Sequence, residues 1–291
     1  MPHESRGDRV FQIIVNTILV IVLIIILYPL IFVLSASFSD PLYILQGKVN
    51  LLPKGFTLDS YDRILNYHSI WSGYKNTIIY VTVGTLINLV MTTCGAYPLS
   101  RRDFYGRNVI TALLVFTMFF SGGMIPTYLV VKTLGLTNTM WAMVLPSAVS
   151  VYNLIIMRTF FQSIPYDLQE SAVVDGASDF QILTRIILPL SKPILAVMTL
   201  FYAVSHWNSF FDALIYLTDR SLYPLQLILR EILIQSDVGT ESLDDDAIQQ
   251  AMTIEGMKYA VILVANLPVL CLYPFLQKYF VKGVMIGSLK G

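Results

Sequence analysis

Any chemistry in this chain of 291 residues has to come from polar side chains set inside apolar runs. The densest group is Ser205, His206, Trp207, Asn208, Ser209 and Asp212, inside an apolar stretch from Ile194 to Leu217. At helical spacing Ser205, Asn208 and Asp212 fall on one face, and an ionisable side chain such as Asp212 at membrane depth marks a functional position by default. Trp207 and Phe210 add aromatic rings beside them. Asn88, on the face of Thr85 and Thr92, the pair Tyr152 and Asn153, and Asn266 add hydrogen-bonding groups in other apolar runs. Such groups suit the passage of a polar solute, because every hydrogen bond lost in hydrocarbon is costly. The alternative is helix-to-helix bonding, which fits Asn88 and Asn266 better, since each stands alone.

Groups for covalent or metal chemistry are not arranged to act. There is no Gly-x-x-x-x-Gly-Lys-Ser/Thr phosphate loop, no His-Glu-x-x-His and no Gly-x-Ser-x-Gly. His3, His68 and His206 are far apart in sequence, and Cys94 and Cys271 sit in apolar runs without metal-ligand neighbours, so both cysteines read as packing residues. The expectation is a chain with no catalytic residue, metal or cofactor of its own. Energy for any uphill step then comes from a partner.

The elements that position these residues follow from composition. Hydrophobic residues make up 55% and charged residues 13%, against roughly 25% charged in soluble domains, and mean hydropathy is +0.66. Such a chain needs lipid around it. Lys+Arg and Asp+Glu are 19 each, which excludes a generic basic nucleic-acid binder. Six stretches reach the roughly 20 apolar residues that a bilayer core requires: 11–34, 74–99, 109–131, 140–161, 194–217 and 259–281. The expectation is an all-α membrane protein with six transmembrane helices, in one domain over 1–291.

Basic residues orient it. Arg6 and Arg9, then Arg101, Arg102 and Arg107, then Arg158, Arg185 and Lys192, then Lys278, Lys282 and Lys290 fall at alternate ends of the stretches. The positive-inside rule makes these regions and both termini cytoplasmic. Residues 39–73, with strand-like and turn-like pieces, and 218–258 are then external. The second of these is acidic through Asp237, Glu241, Asp244, Asp245, Asp246 and Glu255, which disfavours a simple electrostatic funnel for an anionic solute.

The cytoplasmic loop 165–193 has the sharpest pattern. Leu168, Ala172, Gly176, Phe180, Leu183 and Ile187 recur every three or four residues, as one helical face or as two short helices bent near Gly176. Asp167, Glu170, Asp175 and Asp179 occupy the other side, with Arg185 the only base. A helix lying on the membrane surface would favour Lys and Arg there, because the cytoplasmic leaflet is anionic. An acidic helix with small residues at Ala172, Gly176 and Ala177 suits a protein groove lined with basic groups.

The run ESAVVDGASDFQILTRIILPLSKP, Glu170 to Pro193, resembles the Glu-Ala-Ala loop of binding-protein-dependent ABC importer permeases, with Ser171 where alanine is usual. Residues 277–291 and 51–61 resemble carbohydrate-type permeases, and FSGGMIPTYLVVKTLGLTNT, Phe120 to Thr139, is similar to the subgroup serving polysaccharides, including the alginate importer. The resemblance implies a type I ABC importer permease fold with a coupling helix seated on an ATPase through Glu170, Ser171, Ala172, Asp175, Gly176, Ala177, Phe180, Leu188 and Pro189. It further implies ATPase contacts at Lys282, Gly283, Gly287 and Lys290. A substrate path is expected at Asn208, Asp212, Trp207, Phe210, Ser205, Asn88, Tyr152 and Asn153. Expected partners are a second related permease, two ABC ATPase subunits carrying ATP and Mg, a periplasmic or lipid-anchored solute-binding protein, membrane lipid and an oligosaccharide, uronate-rich as in alginate; no nucleic acid is expected. Ser121-Gly122-Gly123 echoes an ATPase signature but sits at the outer end of a stretch, where it reads as an unwound helix terminus or a close-packing site. A secondary carrier or channel, which would show inverted repeats, and a membrane-embedded enzyme are the other classes; the sequence shows neither repeats nor a catalytic constellation.

Overall fold

The computed structural model describes residues 6–238 and 254–271, and every regular element in them is helical. The strand-like pieces expected in 39–73 are instead two short helices joined by turns. Asp40 caps the first by accepting from the Leu42 backbone N–H at 2.9 Å, with Pro41 in the first turn. By internal contacts the described chain forms two compact units, 6–68 with 229–238 and 254–267, and 69–228 with 268–271.

In the first unit, α1 (Arg6–Ser37) exposes apolar side chains along most of its length, as a helix facing lipid does. Its end carries serines that tie down the following segment. Ser35 donates to the Leu51 carbonyl at 2.6 Å, Ser39 Oγ accepts from the Lys54 backbone N–H at 3.0 Å, and the Tyr61 hydroxyl donates to Ser37 at 2.8 Å. α2 (Pro41–Leu45) and α3 (Asp59–Asn66) pack here, and Gly256, on the helix Ile254–Cys271, comes close to Pro41 and Ser60.

The second unit is built on α4 (His68–Ser100), followed by α5 (Arg107–Phe119), α6 (Met124–Thr133), α7 (Met140–Val144), α8 (Val151–Ser163), α9 (Asp167–Val174) and α10 (Asp179–Ile182). A π-turn, Leu183–Ile187, then leads through α11 (Leu188–Leu190) into α12 (Lys192–Trp207), α13 (Phe211–Tyr216) and the first turn of α14 (Leu225–Val238), whose residues from 229 on are counted with the first unit. The π-turn sits where Pro189 lacks the N–H that an α-helix would aim at the carbonyl four residues back. Among the described residues three helices are long and apolar enough to cross a bilayer: Gly7–Ser37, His68–Ser100 and Ile254–Cys271. Two further helix pairs qualify only jointly: α5 with α6, bent by 111°, and Asp179–Leu190 with α12, bent by 83°. The first bend falls on residues 120–123, where Gly123 has φ +87°, so the Ser-Gly-Gly segment is an unwound turn.

Breaks in apolar surroundings leave backbone groups without helical partners, and these must be satisfied internally. α4 does this with side chains spaced by four. Asn76 donates to the Ser221 and Tyr223 carbonyls (2.7 and 3.1 Å), Tyr80 to the Leu222 carbonyl (2.7 Å), and Asn88 to the Ser147 carbonyl (2.6 Å) in the α7–α8 break. Thr92 bonds the Tyr202 hydroxyl at 2.6 Å, and that hydroxyl accepts from the Ser150 N–H at 3.4 Å. Thr77, beside this row, accepts from the Leu225 N–H at 2.9 Å. Cys94 and Cys271 are exposed, not packing residues as expected, since each lies off the buried face of its helix.

Gly84 lies in the same row, against the His206 imidazole. A Cβ there would meet the ring at 2.6 Å from Cε1 and 2.8 Å from Cδ2, and the ring is held by a 2.7 Å bond from its Nε2 to Asn88 Oδ1. Gly84→Val should therefore destabilise the protein by about 1–3 kcal/mol, read as a lowered thermal midpoint in detergent. Gly122→Ala, whose Cβ would have only Pro126 nearby at 3.8 Å, should leave the midpoint unchanged.

Candidate functional site

Residues 165–190 form two short helices bent at Gly176. α9 ends with the Gly176 N–H donating to the Val173 carbonyl (3.0 Å) and the Ala177 N–H to the Ala172 carbonyl (2.9 Å), while Gly176 takes φ +79°, a conformation that costs L-residues about 1–2 kcal/mol. Ser178 then opens α10 with a capping box to Gln181. The bend splits the expected apolar face. Ala172, Ile182 and Ile187 join a core with Tyr97, Met157, Phe161 and Met198, and Leu183 packs against it. Leu168 and Phe180 point away from that core, contrary to the single-face reading. With Val173 and Val174 they are 42%, 73%, 52% and 87% exposed. Asp167, Glu170, Ser171 and Asp175 are exposed beside them, as are Gly176 and Pro189, while Ala177 and Leu188 are half-buried.

One residue ties this loop to the long helix. Arg101, just past the end of α4, has an 11% exposed side chain that forms a forked pair with Asp103 (Nε–Oδ1 2.9 Å, Nη2–Oδ2 2.7 Å). Its Nη1 reaches Asp179 Oδ1 at 3.5 Å, Gln169 Oε1 at 3.4 Å and the Tyr97 hydroxyl at 3.5 Å. Gln169 is buried on α9 and Asp179 opens α10, so one guanidinium spans both halves of the loop. Arg158 on α8 adds a 2.9 Å bond to the Leu99 carbonyl. Hydrogen bonding to Arg101 holds the Asp103 carboxyl below its ordinary range and raises the Arg101 pKa. The sequence showed Arg101 only as an orienting charge; its partners lie 68 and 78 residues away.

The expected substrate-path residues are not gathered on one surface. α12 ends at Trp207, and Asn208, its C-cap residue, donates its own N–H and its side-chain amide to the Val204 carbonyl (3.1 and 2.9 Å). α13 begins only at Phe211, so Ser205, Asn208 and Asp212 do not share a face of one helix, as the spacing had suggested. Ser205 and Asn208 are exposed and Asp212 is half-buried in the first turn of α13. Trp207 is buried, 6.2 Å from the Tyr74 ring, and so offers no free face to a sugar; Phe210 is exposed. Asn88 is fully buried, its amide committed to Ser147 and its carbonyl to His206. Tyr152 is exposed and Asn153 buried. Asn266 donates to Ile262 of its own helix at 2.8 Å. Lys282, Gly283, Gly287 and Lys290 lie outside the described residues. His206, Thr92 and Tyr202 carry the buried network, and the four-residue spacing of Asn76, Tyr80, Gly84, Asn88 and Thr92 was the signal that could have found it. Among the described residues no cluster suited to a metal ion occurs.

The chain is similar to known proteins over nearly its whole length. The family model for binding-protein-dependent transport system inner membrane components matches residues 1–286. Protein LplC of Bacillus subtilis (strain 168) is 44% identical over 290 residues, 99% of this chain and 98% of that protein. The polygalacturonan/rhamnogalacturonan transport system permease protein YtcP of the same organism is 42% identical, covering 98% of this chain and 99% of its own length. A chain in the crystal structure of a bacterial ABC transporter involved in the import of the acidic polysaccharide alginate superposes with a TM-score of 0.87 at 36% identity, over 96% of this chain and 100% of that one.

Two outcomes test the loop's construction. Arg101→Ala should speed proteolytic cleavage within 165–190 by about tenfold, since it orphans a buried Gln169 and an ion pair, with Arg101→Lys intermediate. The Asp103 carboxyl is depressed in the folded state, so its contribution is complete above the ordinary carboxylate range and is lost as pH falls through the lower folded value. Cleavage of the wild-type α4–α5 turn, which Asp103 and Arg101 close, by an acid-tolerant protease should therefore rise below about pH 4, and Asp103→Asn should weaken that dependence.

Proposed function

The chain belongs to the binding-protein-dependent transport system inner membrane components, and on that basis we propose how this sugar ABC importer permease is energised and what it carries. The outward face of the α9–α10 loop is the seat of a separate ATPase subunit. The observation that carries this is the exposure of Val174 and Phe180, at 87% and 73%, beside exposed acidic residues, on a loop whose other face is buried and clasped. Water is a poor solvent for those side chains, and an anionic leaflet would repel Asp167, Glu170 and Asp175. A protein groove with apolar floor and basic rim satisfies both.

In this reading the chain crosses the membrane six times with both ends in the cytoplasm, and it pairs with a second permease, two ATPases and a solute-binding protein on the far side. ATP and Mg are held by the ATPases. Their closure moves the loop, and the clasp at Arg101 passes that motion to α4 and so to the broken segments that α4 supports. ATP and solute act by binding the two conformations unequally. The breaks at 120–123, 145–150 and 208–210 are the places where polar backbone and side chains meet a passing sugar, with Asn208, Phe210 and Asp212 the contacts from this chain.

The substrate class is a uronate-rich oligosaccharide. YtcP is named for polygalacturonan and rhamnogalacturonan, and the 36% identical structure belongs to an importer of alginate; all three polymers contain uronic acids. In the reconstituted complex with its binding protein, oligogalacturonate or oligo-alginate should raise ATPase activity severalfold over a neutral arabino-oligosaccharide. Equal stimulation would remove the uronate assignment and leave the sugar permease. Alanine at both Asn208 and Asp212 should lower uptake by at least tenfold while ATPase subunits still co-purify; unchanged uptake would remove these residues from the path. Gly176→Val should impair ATPase co-purification through backbone strain alone, since nothing lies within 4 Å of its Cβ position.

A further inference from the structure

Beside the clasp lies a cavity that the transport reading does not use. Its volume is about 440 Å³, and it sits where α4 and α8 end and α9 begins. Arg102, Arg107, Ser100, Gln162 and Tyr166 line it, and no carboxylate does. The Arg102 guanidinium lies 5.4 Å over the Tyr166 ring, which fixes its position and leaves its N–H groups unused by the ring. Arg107 spends one N–H on the Arg101 carbonyl, at 3.0 Å. Among the described residues neither arginine has an ion-pair partner. The one carboxylate of the turn, Asp103, is taken by Arg101 through both oxygens.

Two guanidiniums facing one polar cavity repel each other unless an anion lies between them. Each presents a planar fork of donors that matches phosphate oxygens. The cavity also opens at the end of a helix of membrane length, where lipid phosphates are concentrated. We propose that Arg102 and Arg107 bind a phosphate group here, supplied by the headgroup of an anionic phospholipid or by free phosphate. Bound there, the phosphate ties Arg102 of the α4–α5 turn to Arg107 at the start of α5. This follows from the two arginines alone and holds whichever face of the membrane the cavity lies on.

The test uses the assembled importer purified in detergent, with phosphatidylglycerol or phosphatidylcholine added and retained lipid read by native mass spectrometry. Wild type should retain phosphatidylglycerol in preference to phosphatidylcholine. Arg102→Gln/Arg107→Gln should retain it roughly tenfold less, and Arg102→Lys/Arg107→Lys should restore most of it. Should the double glutamine variant fail to assemble, each single glutamine variant takes its place. Equilibrium dialysis with labelled inorganic phosphate separates the sources. Phosphate that binds wild type and not the variant, with no lipid retained, assigns free phosphate; lipid retained against millimolar phosphate assigns the headgroup. If neither ligand distinguishes wild type from the glutamine variants, the site does not exist. Loss of ATPase chains on purification would count against the transport reading and leave this measurement intact on the permease.

Discussion

A polypeptide that interrupts its helices inside an apolar environment must pair every freed backbone group within itself, and this constraint organises the chain. The interruption at 145–150 and the segment 217–225 are served by side chains. Most come from one helix, α4, whose Asn76, Tyr80, Asn88 and Thr92 repeat every four residues or multiples of four. Asn138, held at φ 59°, adds a second support by accepting from the Thr218 and Asp219 N–H groups at 3.0 and 2.8 Å. The glycine of the α4 row, Gly84, is the position where a ring from α12 replaces a polar contact. The row therefore fixes the broken segments relative to one rod.

The same rod ends in Arg101. Its guanidinium is largely desolvated, and it converts the end of α4 into the anchor of an exposed loop two short helices long. The two faces of that loop divide the work. Ala172, Ile182 and Ile187 join the core, so the loop cannot move without moving α8 and α12. Val174 and Phe180 remain outside. The proposed coupling to a partner ATPase requires a rigid link between the exposed face of the loop and the helix that holds the breaks in place. It arises here from one buried cation and a few apolar contacts.

Much of this was legible in the sequence. The spanning helices over 11–34 and 74–99, the bend at Gly176 and the unwinding at Gly122 and Gly123 follow from composition and from residues with special backbone preferences. The stretch 140–161, expected as one span, is instead broken at 145–150, and the described residues hold three helices of spanning length, or up to five if each bent pair counts as one. Periodicity could not show which side of the loop faced the core, because the bend at Gly176 resets the phase between Ala172 and Phe180. Nor could it show that Asn208 ends a helix, because asparagine is found both at helix ends, as here, and inside helices, as at Asn266. Trp207 looked available for stacking and is instead buried near Tyr74. Arg101 had no readable role, since its partners are distant in sequence and close only after folding.

The central claim is that the outward face of the α9–α10 loop is covered by a separate ATPase chain. Its most direct test is a single cysteine at Ser171, an exposed position on that face, in a background with Cys94 and Cys271 replaced by serine. In the assembled importer the cysteine should resist a water-soluble maleimide and should become reactive once the ATPase chains are stripped away. Equal and complete labelling in both states would contradict the account.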